Sequence, residues 1–520
     1  MVSNGNGSAS DSDDRPGTAW VAPHRLPGVV ASTAEREGWE PAQALVERHW
    51  DRYVSSAPAR LLEAIRALPG DAFIERPTML VAANFLQHVL AGGKPGTFSH
   101  GEWLDSATDS GRATLMDTLG LFTGKTASLR TEGRFAESVR AALQAHSALE
   151  EATARERAAV SVSLPHYRIQ WGRSLELGNA PGADREYEES YDLAMATEQP
   201  AVARRAAAQF AWLLAMRGRL NSAETWLARS MALAPTGGRY EVVVYLTDAL
   251  LKLDRGDIVG AGRELSRAHG LEVGEYWSAA LWVRAMHARG PAGAAIVENE
   301  LFEEVNRRGK ALAHGGAHGR YVRAAQARLS ALRRPPGEDT STRSLSAADR
   351  VVSSAHAYAK GRYEKAITVA SAAAAASEPP RTQCAALLVT AAAERALGRT
   401  RHAADAFAQA NALIEHERLY SAYECVPAPD LERLASLAGV TVPLAAALYK
   451  DDRDLPDYSL TKRETEVLTL LATEKPMAEI AAGLYISTNT LKATVRRLYR
   501  KLGASSRADA VEILRRDGRF

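Results

Sequence analysis

The sequence predicts an all-α protein, a long solenoid of paired helices closed at the C-terminus by a small unit of four helices. Two observations predict it. A helix that ends in glycine, followed by a second helix bearing alanines and an aromatic, recurs through the middle of the chain. The last sixty residues carry apolar stripes at helical spacing with basic residues on the remaining faces.

In chain order, residues 1–35 begin MVSNGNGSASDSDD, polar and acidic, and are expected to be a disordered tail. Helical-repeat structure is expected over residues 36–332, starting with the segment around LLEAIRALPGDAFIERPTMLVAANFLQHVL. The repeated unit then appears as Gly133-Arg134-Phe135-Ala136, as Gly178 with Ala183 and Tyr187, as Gly218-Arg219-Leu220 with Ala223 and Trp226, and as Gly256-Asp257 with Ala261. The proline- and serine-rich stretch RRPPGEDTSTRSLSAA sets a linker or long loop at 333–349. The unit returns over 350–449 as Gly361-Arg362-Tyr363 with Ala366 and as Gly398-Arg399 with Ala403 and Phe407. Adjacent glycines lie 45, 40 and 38 residues apart in the first block and 37 in the second. Glycine permits the tight turn and alanine lets paired helices approach closely. No single pair can bury its apolar face, so neighbours must stack into a superhelix. Trp171, Trp212, Trp226, Trp277 and Trp282 are expected to pack between helices more than to line a groove.

A charged tether, KDDRDLPDY, occupies 450–459 and leads to the C-terminal unit at 460–520. One helix is expected over Lys462–Thr473, with Val467, Leu468, Leu470 and Leu471 on its apolar side. A second runs from Met477 to Leu484 and passes through Tyr485-Ile486-Ser487 into a third. That third helix carries Leu491, Val495, Leu498 and Leu502 as its packing stripe, and no acid occurs between Ser487 and Leu502. Two helices joined by a tight turn, the second basic on its free side, form a helix-turn-helix, which points to DNA. Ser487 suits the N-cap, and the helix end beyond it offers amides and a positive dipole end to a phosphate. Lys492 and Arg496, four apart, share an exposed face with Asn489 close above; lysine or arginine suits guanine and asparagine suits adenine. Arg497, Arg500 and Lys501 suit the phosphate backbone.

The rest of the composition supports this reading. Net charge is +2 over the whole chain, but residues 456–520 hold twelve Lys/Arg against eight Asp/Glu. Two cysteines, Cys384 and Cys425, provide neither a disulfide framework nor metal spacing, and no apolar run is long enough to span a bilayer. A cytoplasmic location is expected, with no cofactor, no membrane partner and no catalysis. Gly120–Thr126 (GLFTGKT) is one residue short of a phosphate loop and lacks the preceding strand, so a helix end is expected there. His314 and His318, in AHGGAHG, are expected in a loop and hold no metal.

The C-terminal segment resembles the LuxR-type helix-turn-helix of bacterial transcription regulators. The residues carrying the resemblance include Leu460-Thr461, Arg463-Glu464, Glu466-Val467-Leu468, Glu479-Ile480-Ala481, Leu484, Ser487, Asn489-Thr490, Lys492, Tyr499, Lys501-Leu502-Gly503, Arg507 and Ala510-Val511. The preceding array is similar, more diffusely, to the tetratricopeptide-like sensor region of large members of that family, without their ATPase. The resemblance implies that Lys492, Ala493 and Arg496 face bases, and that Thr490, Thr494 and Arg500 lie near the DNA backbone with Ser487. It also implies that the last helix, Arg507–Arg516, including Val511 and Leu514, forms a dimer contact. Double-stranded DNA with two half-sites, a homodimer, RNA polymerase and a small molecule, peptide or protein on the array are the partners it implies, with activation more expected than repression. Glu474 replaces a frequent glycine, Pro476 a capping serine, Thr494 a histidine and Leu491 a valine. Those departures leave a second expectation open, a helical scaffold whose terminal unit no longer binds DNA. A nucleotide-binding regulator is the third.

Overall fold

The computed structural model describes residues 21–76, 78–90, 114–235, 238–269, 271–333, 346–375, 377–442, 462–471 and 475–516, and every regular element among them is helical. The chain divides into two units, with the boundary before Thr114. The first contains α1 (Leu26–Glu37), α2 (Trp39–Ser56), α3 (Pro58–Arg66), α4 (Gly70–Glu75) and α5 (Thr78–Leu90). Leu26, Val30, Val46, Leu61, Ile65 and Leu86 form its buried interior. Two expectations change here. Residues 26–35, expected within a disordered tail, are helical, because α1 begins at Leu26. The segment from Trp50 to Leu90 belongs to a unit of its own and does not continue the array.

The second unit opens with α6 (Leu115–Thr131), α7 (Phe135–Glu151) and the short α8 (Ala154–Val160). Three helix pairs follow: α9 (Leu164–Leu177) with α10 (Ala183–Ala196), α11 (Pro200–Arg217) with α12 (Leu220–Met231), and α13 (Val242–Asp254) with α14 (Ile258–His269). Then come α15 (Trp277–His287), α16 (Gly290–Arg308), α17 (Lys310–His314) and α18 (Gly316–Arg333). Two further pairs, α19 (Ala347–Ala359) with α20 (Tyr363–Ser371) and α21 (Pro380–Ala396) with α22 (Thr400–Glu417), lead to α23 (Ala428–Ala438). Local chemistry starts many of these helices. Thr114 with Asp117, Thr153 with Glu156 and Ser346 with Asp349 make reciprocal capping boxes, and proline opens α3, α11 and α21.

The six repeat glycines all fall at the turns between paired helices. Five take the left-handed conformation; at Gly178 the neighbouring Asn179 takes it instead. Five residues beyond each glycine stands a small, fully buried side chain: Ser138, Ala183, Ala223, Ala261, Ala366 and Ala403. In the first pair this is Ser138 and not Ala136, which is exposed. All five tryptophans singled out above are buried, consistent with packing between helices.

Buried and half-buried arginines join one layer to the next. Arg130 donates to Glu275 at 2.8 Å, to the Gln170 carbonyl at 3.1 Å and to Ser174 at 2.8 Å. Arg204 grips both oxygens of Glu241 at 3.0 and 2.6 Å. Arg381 carries the largest load. It donates to both oxygens of Asp254 at 2.8 and 2.5 Å and to the carbonyls of Ala215 and Met216 at the end of α11. Asp254 is 0 % exposed and also accepts from the Ser421 hydroxyl. Arg381 thereby ties the second block of repeats to the first. Gly218 makes room for it, since a Cβ there would stand 2.7 Å from the Arg381 amide nitrogen.

Two sequence readings are corrected in this unit. Gly120–Thr126 lies inside α6, not at its end, and its amides are spent on the helix. His314 and His318 are helical, at the end of α17 and the start of α18, not in a loop. His318 is buried, bonds to Ser278 at 2.7 Å through Nδ1 and stacks on Trp277. The expected linker at 450–459 lies outside the described residues, as do positions 334–345 of the one expected at 333–349, whereas Arg333 ends α18 and Ser346 caps α19.

Breaking the central pair tests the layer arrangement. Asp254→Asn leaves the half-buried Arg381 without its counter-charge and is expected to cost about 3–5 kcal/mol in urea unfolding followed by circular dichroism; a loss below about 1 kcal/mol would refute the role assigned to this pair. His318 supplies a pH test. Burial, with Arg173 nearby, pushes its pKa from 6.5 down to about 3, so the fold holds the neutral ring. Its contribution is complete above pH 6.5 and fades as pH falls towards 3. The unfolding midpoint should drop between pH 6.5 and 4, and His318→Gln should flatten that part of the profile.

Candidate nucleic-acid interface

The C-terminal unit comprises α24 (Lys462–Leu471), α25 (Met477–Gly483), α26 (Thr488–Leu502) and α27 (Arg507–Arg516). Its core is the expected stripe: Val467, Leu468 and Leu471 pack with Ile480, Leu491, Val495, Leu498 and Leu502. Ser487 caps α26, accepting from the Thr490 amide at 3.1 Å, and Gly503 ends it in the left-handed conformation. Pro476 stands at the N-cap of α25 without a side-chain bond, with Glu479 in the first turn where a negative charge favours the helix dipole. The turn between α25 and α26 needs a left-handed residue, and Tyr485 supplies it at φ 54° with its side chain 96 % exposed.

Asn489, Lys492, Ala493 and Arg496 are all exposed on α26, as are Thr490, Arg497 and Arg500. One helix thus presents a basic, acid-free face to solvent. Three expected contacts differ. Thr494 is buried, its hydroxyl donating to the Thr490 carbonyl at 3.0 Å, so it points into the unit and not towards a DNA backbone. The Lys501 ammonium reaches the buried Glu464 at 2.8 Å and neutralises it. Arg507 donates through Nε to the Leu471 carbonyl at 2.8 Å and through Nη1 to the Lys475 carbonyl at 3.0 Å.

These bonds give Arg463 a task that the sequence did not assign, and Arg507 one beside the expected dimer contact. Arg463 donates to the Leu484 carbonyl at 2.6 Å and pins α24 to the turn before α26. Arg507 covers the Leu471 carbonyl at the end of α24, the service a glycine-turned cap would otherwise provide. Glu474 itself lies outside the described residues. Val511, expected at a dimer contact, is buried in the unit's own core, and the Leu514 side chain lies outside the described residues.

The C-terminal unit also rests on the array. α27 packs on α14 and α24 on α16, and Ile296 of α16, 3 % exposed, joins the core around Val467. The exposed face of α26 is left open by this docking.

The family model described as "Bacterial regulatory proteins, luxR family" matches residues 458–514. The spore germination protein GerE of Bacillus subtilis (strain 168) is 46% identical over 57 residues, 11% of this chain and 77% of GerE. The chain belongs to the luxR family. Within that family it is 50% identical over 52 residues, 10% of its length, to the "Probable transcriptional regulatory protein NarL" of Mycobacterium tuberculosis, covering 24% of that protein. It is 44% identical over 62 residues to the response regulator RamR of Streptomyces coelicolor, covering 31% of RamR and 12% of this chain. This luxR chain therefore spans about a quarter of the NarL protein it matches. Among the described residues no helix is long and apolar enough to cross a membrane, and no cluster of His, Cys, Asp or Glu could hold a metal ion.

Arg507→Ala removes the bonds to Leu471 at the end of α24 and to Lys475 before α25, and should lower the stability of the C-terminal unit by about 1–3 kcal/mol. Hydrogen exchange of the α24 and α25 amides reads this directly. Unchanged protection there would show that the clamp contributes nothing.

Proposed function

We propose that this luxR-family chain is a sequence-specific DNA-binding transcription regulator whose helical array controls the C-terminal unit. The observation that carries the reading is the exposed face of α26. It places Lys492 and Arg496 one turn apart beside Asn489 and Ala493, on a helix whose capped N-terminus is free to meet a phosphate. Lys492 and Arg496 donate to guanine edges in the major groove, Asn489 pairs with adenine, and Ala493 lets the helix approach closely. Ser487, Thr490, Arg497 and Arg500 hold the phosphates, and each neutralised phosphate releases counterions. Lys501 and Thr494 serve the fold of the unit instead.

Under this reading two copies bind half-sites about 34–36 Å apart and pair through α27. Docking of α27 on α14 competes with that pairing. A small molecule, peptide or protein on the array then acts by its different affinity for docked and released states, which is all that any ligand can use to shift such an equilibrium. Released dimers activate transcription through RNA polymerase.

Selection of bound sequences from random duplexes by the full chain, beside Lys492→Ala/Arg496→Ala, tests the reading. The wild-type chain should enrich a motif with two-fold symmetry. The double variant should lose it, at about 1–3 kcal/mol of discrimination per base contact removed. Failure to enrich any motif, both by the full chain and by residues 450–520 alone, would refute sequence-specific regulation.

A further inference from the structure

The array contains a cavity of about 1250 Å³ that the DNA-binding reading leaves unused. We propose that it binds an amphipathic organic anion, an apolar body with a single carboxylate, sulfonate or phosphate held by Arg320.

Two helices form its long walls. α18 presents Arg320, Ala324, Ala327 and Ala331, at steps of four, three and four and therefore on one face. α19 presents Ala348, Val351, Val352 and Ala355. Small side chains on both walls keep the groove wide, while Leu213, Met216, Trp282 and Met286 add apolar lining. The volume exceeds the roughly 300–1,000 Å³ of sites for drug-sized ligands, so the body it suits is longer than a single ring.

Charge decides the head group. Of the lining carboxylates, Glu176 is held by Arg173 at 2.8 Å and by the Tyr187 hydroxyl at 2.7 Å, and Glu424 is held by Arg328 at 2.5 Å. Of the lining arginines, Arg381 is matched by Asp254, Arg328 by Glu424 and Arg217 by Asp184 at 3.5 Å. Arg320 has no carboxylate within ion-pair distance among the described residues. Its Nε is buried without a hydrogen-bond partner, and its guanidinium carbon lies 5.5 Å from the Tyr321 ring centroid. The groove therefore offers one uncompensated cation over an apolar bed. A cationic ligand would find no free carboxylate, and a nucleic-acid strand would need several free cations. A monoanion with an apolar body satisfies both the charge and the surface.

The regulatory consequence rests on the reading above that a ligand on the array controls the C-terminal unit; the binding itself does not. The test uses the full chain and two fluorescent probes that share one apolar body: 1-anilinonaphthalene-8-sulfonate and neutral N-phenyl-1-naphthylamine. The sulfonate should saturate one site per chain and bind about tenfold more tightly than the neutral probe. Arg320→Gln should abolish that preference while leaving the neutral probe unaffected. Ala327→Phe, which fills the groove two turns away, should weaken both, and melting curves of the variants confirm that they fold. Dodecanoate should displace the sulfonate where dodecanol at equal concentration does not. Equal affinity for the two probes, a preference that survives in Arg320→Gln, or indifference to Ala327→Phe would each overturn the assignment. Motif-selective DNA binding without sulfonate binding would sink the ligand class and spare the regulator. Saturation by dodecanoate with unchanged DNA affinity would uphold the ligand class and sink control through the array.

Discussion

The array depends on a carboxylate that has no access to water. Asp254 ends α13 with no exposure, and only a cation delivered to that point can make its burial tolerable. Arg381, 127 residues further along, delivers it and at the same time covers carbonyls at the end of α11. One side chain thus fixes three helices from two blocks of repeats. The left-handed turn at Gly218 leaves room for α21 to come this close. Elsewhere in the array Arg130 and Arg204 work in the same way. Alanine-rich interfaces bring helices together without specifying which layer meets which, and the buried arginines supply that specificity.

The C-terminal unit uses the same device on a smaller scale. Its apolar core is modest, and three polar staples supplement it: Arg463 to the Leu484 carbonyl, Lys501 to Glu464, and Arg507 to the end of α24. Each joins segments at least twenty residues apart and orients α26 against α24. The consequence for function is a division of the basic residues. Lys501, although exposed, and Arg507 are committed to bonds within the unit, whereas Lys492, Arg496, Arg497 and Arg500 line the exposed face of α26. Counting positive charge along the helix would have treated them alike.

Docking links the two parts. Ile296 completes the core of the C-terminal unit from the array side, and α14 covers part of α27. The face of α26 stays open in this arrangement, so the proposed control acts through the last helix and not by covering the face proposed to meet DNA. The proposed groove lies between α18 and α19 in the same unit, lined also by residues of α15 and of α11 and α21, the two helices that Arg381 joins.

Much of this protein was legible in local sequence, because the determinants are local. Helical stripes, the Ser487 cap and the glycine turns from Gly133 to Gly398 act within one or two turns of chain, and so does the grouping of Asn489, Lys492 and Arg496 on one face. The family signature is a longer pattern, running in order from Leu460 to Val511, but it too is read along the chain without any fold. Tertiary structure alone decided what each charge is for. It turned Thr494 inward, committed Lys501 and Arg507, gave Arg381 its partner and left Arg320 without a carboxylate partner among the described residues. It also separated the first five helices into their own unit and set α27 on α14. Those outcomes depend on groups brought together from tens to more than a hundred positions apart, and their energies come from desolvation and pairing, which no local pattern records.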